Sequence, residues 1–271
     1  MSNAVTVPHR RRVAPIVVAI CWLLAVGLFV ALIVRRSQGQ DLGQEVPALT
    51  TWIVRGSALF AILFWVGLIL YGGRLTAAIG VHGLAVIGAV SSLHYTVGAI
   101  SRIGGQLLQG IMGPYAVFIH GVGDEAIPCF LSAILVVLRP KPGTVGVSQL
   151  TVFLLMVVTS GTIGFTALLF ISTSVLLHEV LLAVLGVTVG SVVPTPRPTA
   201  PAHVSLRIAL AIGLANGAVL FAQFAYYRLM YRLQFDEWYV LSVAGVTGVV
   251  YGTIGAALGV ISGYQLRRSS L

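Results

Sequence analysis

Long apolar runs separated by short polar turns set the pattern of this chain. Helices are predicted over Val13 to Val34, Thr51 to Tyr71, Leu75 to Ile100, Tyr115 to Leu138, Val145 to Ser160, Ile163 to Gly190, Val204 to Tyr227 and Trp238 to Tyr264. Most of these runs reach the roughly 18 to 20 residues that carry a helix across a bilayer, and the turns between them leave no room for a sizeable water-soluble domain. The pattern therefore predicts an all-α, polytopic membrane bundle of about eight transmembrane helices. The fifth and sixth runs meet at Ser160-Gly161-Thr162-Ile163-Gly164, which reads either as a turn or as a glycine kink in one long element. The stretch from Pro194 to Pro201 has four prolines in eight residues and reads as a stiff, extended linker.

Composition sharpens this picture. Of 271 residues, 58% are hydrophobic and 8% charged, against about 25% charged in soluble domains. The net charge of +9 would suit nucleic acid, but most of the arginines sit at the ends of apolar runs, where they anchor and orient helices. The bilayer is thus the expected partner, and nucleic acid is not. With a turn at Gly161, ten basic residues fall on one side and six on the other. The excess puts both termini on the inner, cytoplasmic side of the cell membrane. Arg10 to Arg12 ahead of an apolar run resemble a signal peptide, but the run lasts to Val34 without a small-residue cleavage site and reads as a retained helix.

Polar groups inside these runs are the candidate chemistry, because a carboxylate at bilayer depth is costly and marks a site by default. Glu179, near the middle of the sixth run, is the leading candidate. Its carboxylate suits a cationic or amino-pyrimidine ligand, and the alternative is a structural hydrogen bond to another helix. His178 lies on a neighbouring face, about 100° away, so the two need not meet one ligand. Asn216, Gln223 and Tyr227, at spacings of seven and four, form a stripe predicted to face the bundle interior, either as ligand contacts or as interhelical glue. Asp124 and Glu125 fall two to three turns into the fourth run, or in an outer loop dipping towards a cavity. His94, Tyr95, His120 and Trp238 are placed towards the outer side, where they would roof a pocket. Ala85 and Ala89 form a small-xxx-small pair, while Gly255, Gly259 and Gly263 form a ladder that reads first as internal packing. No Walker A, HExxH or CxxC motif is present, and no base can be paired with Ser160 or Ser172 by spacing, so no enzyme is expected.

From about Leu75 onward the chain resembles the substrate-binding S component of energy-coupling-factor vitamin importers, nearest to the YkoE type associated with hydroxymethylpyrimidine and thiamine. The resemblance rests on Gly113-Pro114 after the first core helix, the basic turn Arg139 to Gly143, the helix bearing Glu179, and two last helices with a basic tail. It departs from the family after that turn: Thr144, Val145 and Gly146 follow it, and Gln149 stands near the usual acid position. The resemblance implies a six-helix core over residues 75–271, preceded by a two-helix extension over 1–74. It also implies a transmembrane coupling subunit and a pair of cytoplasmic ATPases as partners, with Ala85 and Ala89 on the coupling face. ATP would be used by those partners, with no cofactor in this chain. The substrate-binding set expected is Glu179, His178, Asn216, Gln223, His120, Asp124, Glu125 and Trp238, holding a vitamin-like small molecule. The alternative is a non-transporting membrane scaffold or assembly subunit.

Overall fold

The computed structural model describes residues 48–161, 165–188 and 202–269. The expected first helix, Val13 to Val34, and the proline-rich linker lie outside them. The described chain is all-helical, as apolar segments must be when no water is at hand to satisfy backbone N–H and C=O groups. We name the helices α1 (Ala48–Ile79), α2 (Val81–Met112), α3 (116–138), α4 (Thr144–Ser160), α5 (Phe165–Val184), α6 (Ala202–Tyr231) and α7 (Glu237–Ser269). Five helical stretches are long and apolar enough to cross a membrane, and α4 is a shorter apolar helix of 17 residues. This is the organisation of a multi-pass membrane protein.

Several predicted boundaries are corrected. The second helix does not stop at Tyr71: Gly72 and Gly73 stay helical, and the break falls at Gly80, whose φ of 78° ends α1. The division drawn between residues 74 and 75 therefore falls inside a helix. Nor is the region from Ser101 to Pro114 a loop, since α2 runs to Met112. As a result Val81–Leu138 is one helical stretch of 58 residues, so the described region holds six apolar stretches where seven were expected. This long stretch nevertheless folds back at Gly113, where φ is 59°. A side chain at Gly105 would stand 3.3 Å from the His120 ring, and one at Gly123 would stand 2.6 Å from Ser101 Oγ. Its two limbs therefore run antiparallel and nearly in contact. Gly161, left-handed at φ 65°, ends α4 and separates it from α5, which resolves the choice between turn and kink in favour of two antiparallel helices.

These breaks define two ends of the bundle. One carries Gly113, Gly161 and the turn at residues 232–236; the other carries Gly80, the turn at 139–143 and the end of α5. The core lies where α7 packs against α3 and α6. Gly255, Gly259 and Gly263 abut the Ala126 carbonyl, the Phe130 carbonyl and Val137, so the ladder is an internal contact, as its small residues allow. Gly213 and Gly217 of α6 approach Thr253 and Val249 of α7 so closely that no Cβ fits between them. Two wide, π-helical segments interrupt the regular winding, Val122–Ala126 in α3 and Val243–Tyr251 in α7, and they face one another across the bundle. Such segments are rare and recur at functional sites.

Candidate functional site, a polar cavity between the helices

The sequence places His178 and Glu179 side by side, and the structure separates their roles. Glu179 is turned towards α4. Its Oε2 accepts the Gly143 N–H at 2.8 Å and its Oε1 accepts the Gly146 N–H at 2.9 Å. The first N–H groups of a helix have no partner within it, and a carboxylate arriving from a neighbouring helix satisfies them while complementing the positive end of the dipole. No side chain of α4's own cap residue can do this, because that residue is Gly143, held at φ 84°. Gly146 is tight against α5 as well: a Cβ there would meet Val175 Cγ1 at 2.9 Å. Glu179 also lies one turn from the bundle end that carries Gly143, not at mid-depth. Its expected place at the centre of a ligand site is thus corrected. It is a helix-to-helix tie, and it does not line the bundle's polar cavity.

That cavity, of about 450 Å³, lies among α2, α3, α4, α5 and α6. It extends from His178 and Gln149, each less than two turns from the end that carries Gly143, to Arg102, Thr166 and Tyr227 in the half nearer Gly113 and Gly161. Regular stripes build its walls. Gln149, Val152, Phe153 and Met156 come from one face of α4, while Ala167, Phe170, Ser174 and His178 come from one face of α5. These three- and four-residue spacings put side chains on a single side of a helix. Glu179 falls one residue, or 100°, off the α5 stripe, which is why the neighbour of a cavity residue is not one itself.

Of the residues singled out in the sequence, the cavity brings together His178, Asp124, Glu125, Asn216 and Gln223, with His94, Tyr95 and Tyr227. Asn216, Gln223 and Tyr227 do share an inward stripe. Glu125 Oε2 accepts a hydrogen bond from Asn216 Nδ2 at 2.7 Å, and the same nitrogen donates to the Gly248 carbonyl at 3.3 Å. Gln223 Nε2 donates to the Tyr227 hydroxyl at 2.6 Å. His178, 3% exposed, has its Nδ1 2.8 Å from the Ser174 carbonyl, which fixes a proton on that nitrogen. Gln149 Nε2 stands 3.3 Å from the same Nδ1, and Gln149 Oε1 is buried without a partner.

Two expected residues stand outside the lining. His120 sits behind the wall in the cleft that Gly105 leaves open. Its Nδ1 is 2.8 Å from Asp124 Oδ2, a contact not aligned as a hydrogen bond. Trp238 is 55% exposed, edge-on to Tyr239 at 6.0 Å between ring centres, and does not roof the cavity. Ala85 and Ala89 are exposed on α2. Sequence reasoning does not single out Arg102, Phe170, Met156 and Tyr226 as site residues. Arg102 reads there only as an orienting charge, and Tyr226, bonded to Thr173 at 2.8 Å, joins the Asn216 stripe only once the cavity is known. The signal that could have found Phe170 is the α5 periodicity, which continues to it from His178 through Ser174.

Chemically, the cavity offers two adjacent carboxylates on the wide turn of α3, the Arg102 guanidinium from α2, carboxamides from α4 and α6, two imidazoles, and apolar and aromatic walls. Its volume lies within the roughly 300 to 1,000 Å³ of small-molecule sites. Among the described residues no cluster of three His, Cys, Asp or Glu is close enough to hold a metal ion. No protein-family model, curated protein or solved structure matches this chain.

Proposed function

We propose that this protein is the membrane-embedded substrate-binding subunit of an ATP-driven importer of the energy-coupling-factor type. Its ligand is a compact cationic or amino-substituted aromatic micronutrient, with thiamine and its hydroxymethylpyrimidine precursor as the first candidates. The observation that carries this reading is the cavity itself, with Glu125 and Asp124 in a wall otherwise made largely of aromatic, amide and apolar groups. A buried carboxylate of this kind is retained where something needs its charge. The aromatic rings offer flat contact to a heterocycle and attract a cation. With the basic excess inside, both termini are cytoplasmic in the cell membrane and the cavity reaches the outward end of the bundle, as capture from outside requires. The absence of a Walker A motif in the sequence agrees with ATP hydrolysis by a cytoplasmic ATPase pair, acting through a transmembrane coupling subunit. The exposed face at Ala85 and Ala89 allows close helix approach and is the candidate contact for that subunit.

The test is direct titration of purified protein with thiamine and with hydroxymethylpyrimidine. Glu125→Gln is expected to weaken thiamine by about 10- to 100-fold, the loss of one charge-assisted hydrogen bond. Absence of binding by the wild type, together with failure to co-purify a coupling subunit, would overturn the importer reading. The second reading, a membrane scaffold, is favoured by the Asn216 contacts that join α3, α6 and α7. It predicts that neither ligand raises the melting temperature.

A further inference from the structure

Asn216 is the point at which the cavity is joined to a close glycine contact between α6 and α7. Its amide nitrogen donates to two acceptors, Glu125 Oε2 on the wide turn of α3 and the Gly248 carbonyl on the wide turn of α7. The orientation of the amide is therefore fixed, because exchanging its oxygen and nitrogen would set an acceptor against two acceptors. Its backbone is fixed too. The neighbouring Gly217 lies so close to α7 that a Cβ would stand 2.3 Å from Val249 Cγ2, and Gly248 is pressed equally hard against Gly217. Glu125, by contrast, hangs on a wide turn and has this one hydrogen bond to its carboxylate. Its Oε1 accepts none among the described residues.

We propose that Asn216 is a positioning residue that decides which oxygen of Glu125 meets the ligand. By holding Oε2 it presents Oε1 to the cavity as an acceptor for a cationic or N–H-bearing group, and so sets the preference for a charged ligand over a neutral one. The proposal rests on the small-molecule reading of the cavity, and it assigns Asn216 an action through Glu125 instead of a ligand contact of its own.

The experiment compares thiamine, a permanent cation, with neutral hydroxymethylpyrimidine on wild type, Asn216→Ala, Glu125→Gln and the double variant, each purified in the same detergent. Asn216→Asp, which keeps the size but replaces the donor by an acceptor, serves as a second variant should the alanine protein not remain monodisperse. Loss of the positioning bond is expected to weaken thiamine by about tenfold and hydroxymethylpyrimidine by no more than about twofold. In the Glu125→Gln background, Asn216→Ala is expected to add nothing. Equal weakening of both ligands, or losses that multiply in the double variant, would mean that Asn216 only packs helices, and the proposal falls while the importer reading stands. Should the wild type bind neither ligand, the importer reading falls instead, and carbodiimide labelling of Glu125, read by peptide mass, decides the remaining point. Faster labelling in Asn216→Ala than in wild type supports the hold on Glu125, and equal rates overturn it.

Discussion

Glu179 and Glu125 are both carboxylates inside one helix bundle, yet their surroundings give them opposite tasks. Glu179 spends both oxygens on backbone N–H groups at the start of α4. Glu125 receives one hydrogen bond, from a side chain, and turns its remaining capacity towards a cavity. The first arrangement consumes the charge in holding the fold together; the second keeps it in reserve. The lesson is that burial and ionisability do not distinguish a site from a structural tie. The number of acceptor positions left open does.

Substitutions at the two positions sharpen that contrast. The largest effect is expected from Glu179→Ala, which strands N–H donors at Gly143 and Gly146. A loss of about 2 to 4 kcal/mol of stability is expected, read as a clear fall in melting temperature in detergent, with the affinity of the folded fraction unchanged. If Glu179→Ala abolished binding and left the melting temperature alone, the assignment of the two carboxylates would be reversed. Glu125→Gln should show the mirror image. It keeps the volume and removes the charge, so thermal stability stays within about 0.5 kcal/mol of wild type or rises slightly, as is common when a functional charge is removed, while thiamine binding weakens markedly. His178→Leu probes the deep end of the cavity. It leaves the Ser174 carbonyl without its imidazole partner and is expected to cost about 1 kcal/mol, together with a several-fold loss of affinity measured by the same titration. Smallest is Trp238→Ala: a half-exposed ring outside the lining should change affinity by less than about twofold, within ordinary surface-substitution scatter.

The fold is legible in the sequence to the extent that hydrophobic run length controls it. Apolar runs mark the helices, and the Asn216, Gln223 and Tyr227 spacing correctly points inward. The failures have physical causes. Gly72 and Gly73 look like a turn, but in an all-apolar context the backbone has no better option than to continue the helix. Ser101 to Gln109 looks like a loop because it is polar and glycine-rich. In the structure the glycine at 105 makes room for His120, and Arg102 Nε donates to the Gly98 carbonyl, so these residues serve a helix hairpin. Glu179 misleads for a different reason: its partners are backbone amides of another helix, 33 and 36 residues away, and backbone donors carry no signature in a sequence. The wide turn that aims Glu125 leaves no sequence signal either, since Val122-Gly123-Asp124-Glu125-Ala126 would fit a regular helix equally well.

That wide turn has a mechanical consequence. A π-helical segment is in effect a helix with one surplus residue, and the surplus sets the angular phase between the helix on its N-terminal side and the helix on its C-terminal side. In α3 the N-terminal part meets α2, whereas the C-terminal part docks its backbone on the α7 glycines. Deleting Gly123 would leave both halves helical while rotating one against the other by about 100°, so the chain could keep its glycine docking or its hairpin, but not both in their present alignment. The aim of the cavity acids is thus a matter of dial position, set by a single inserted residue.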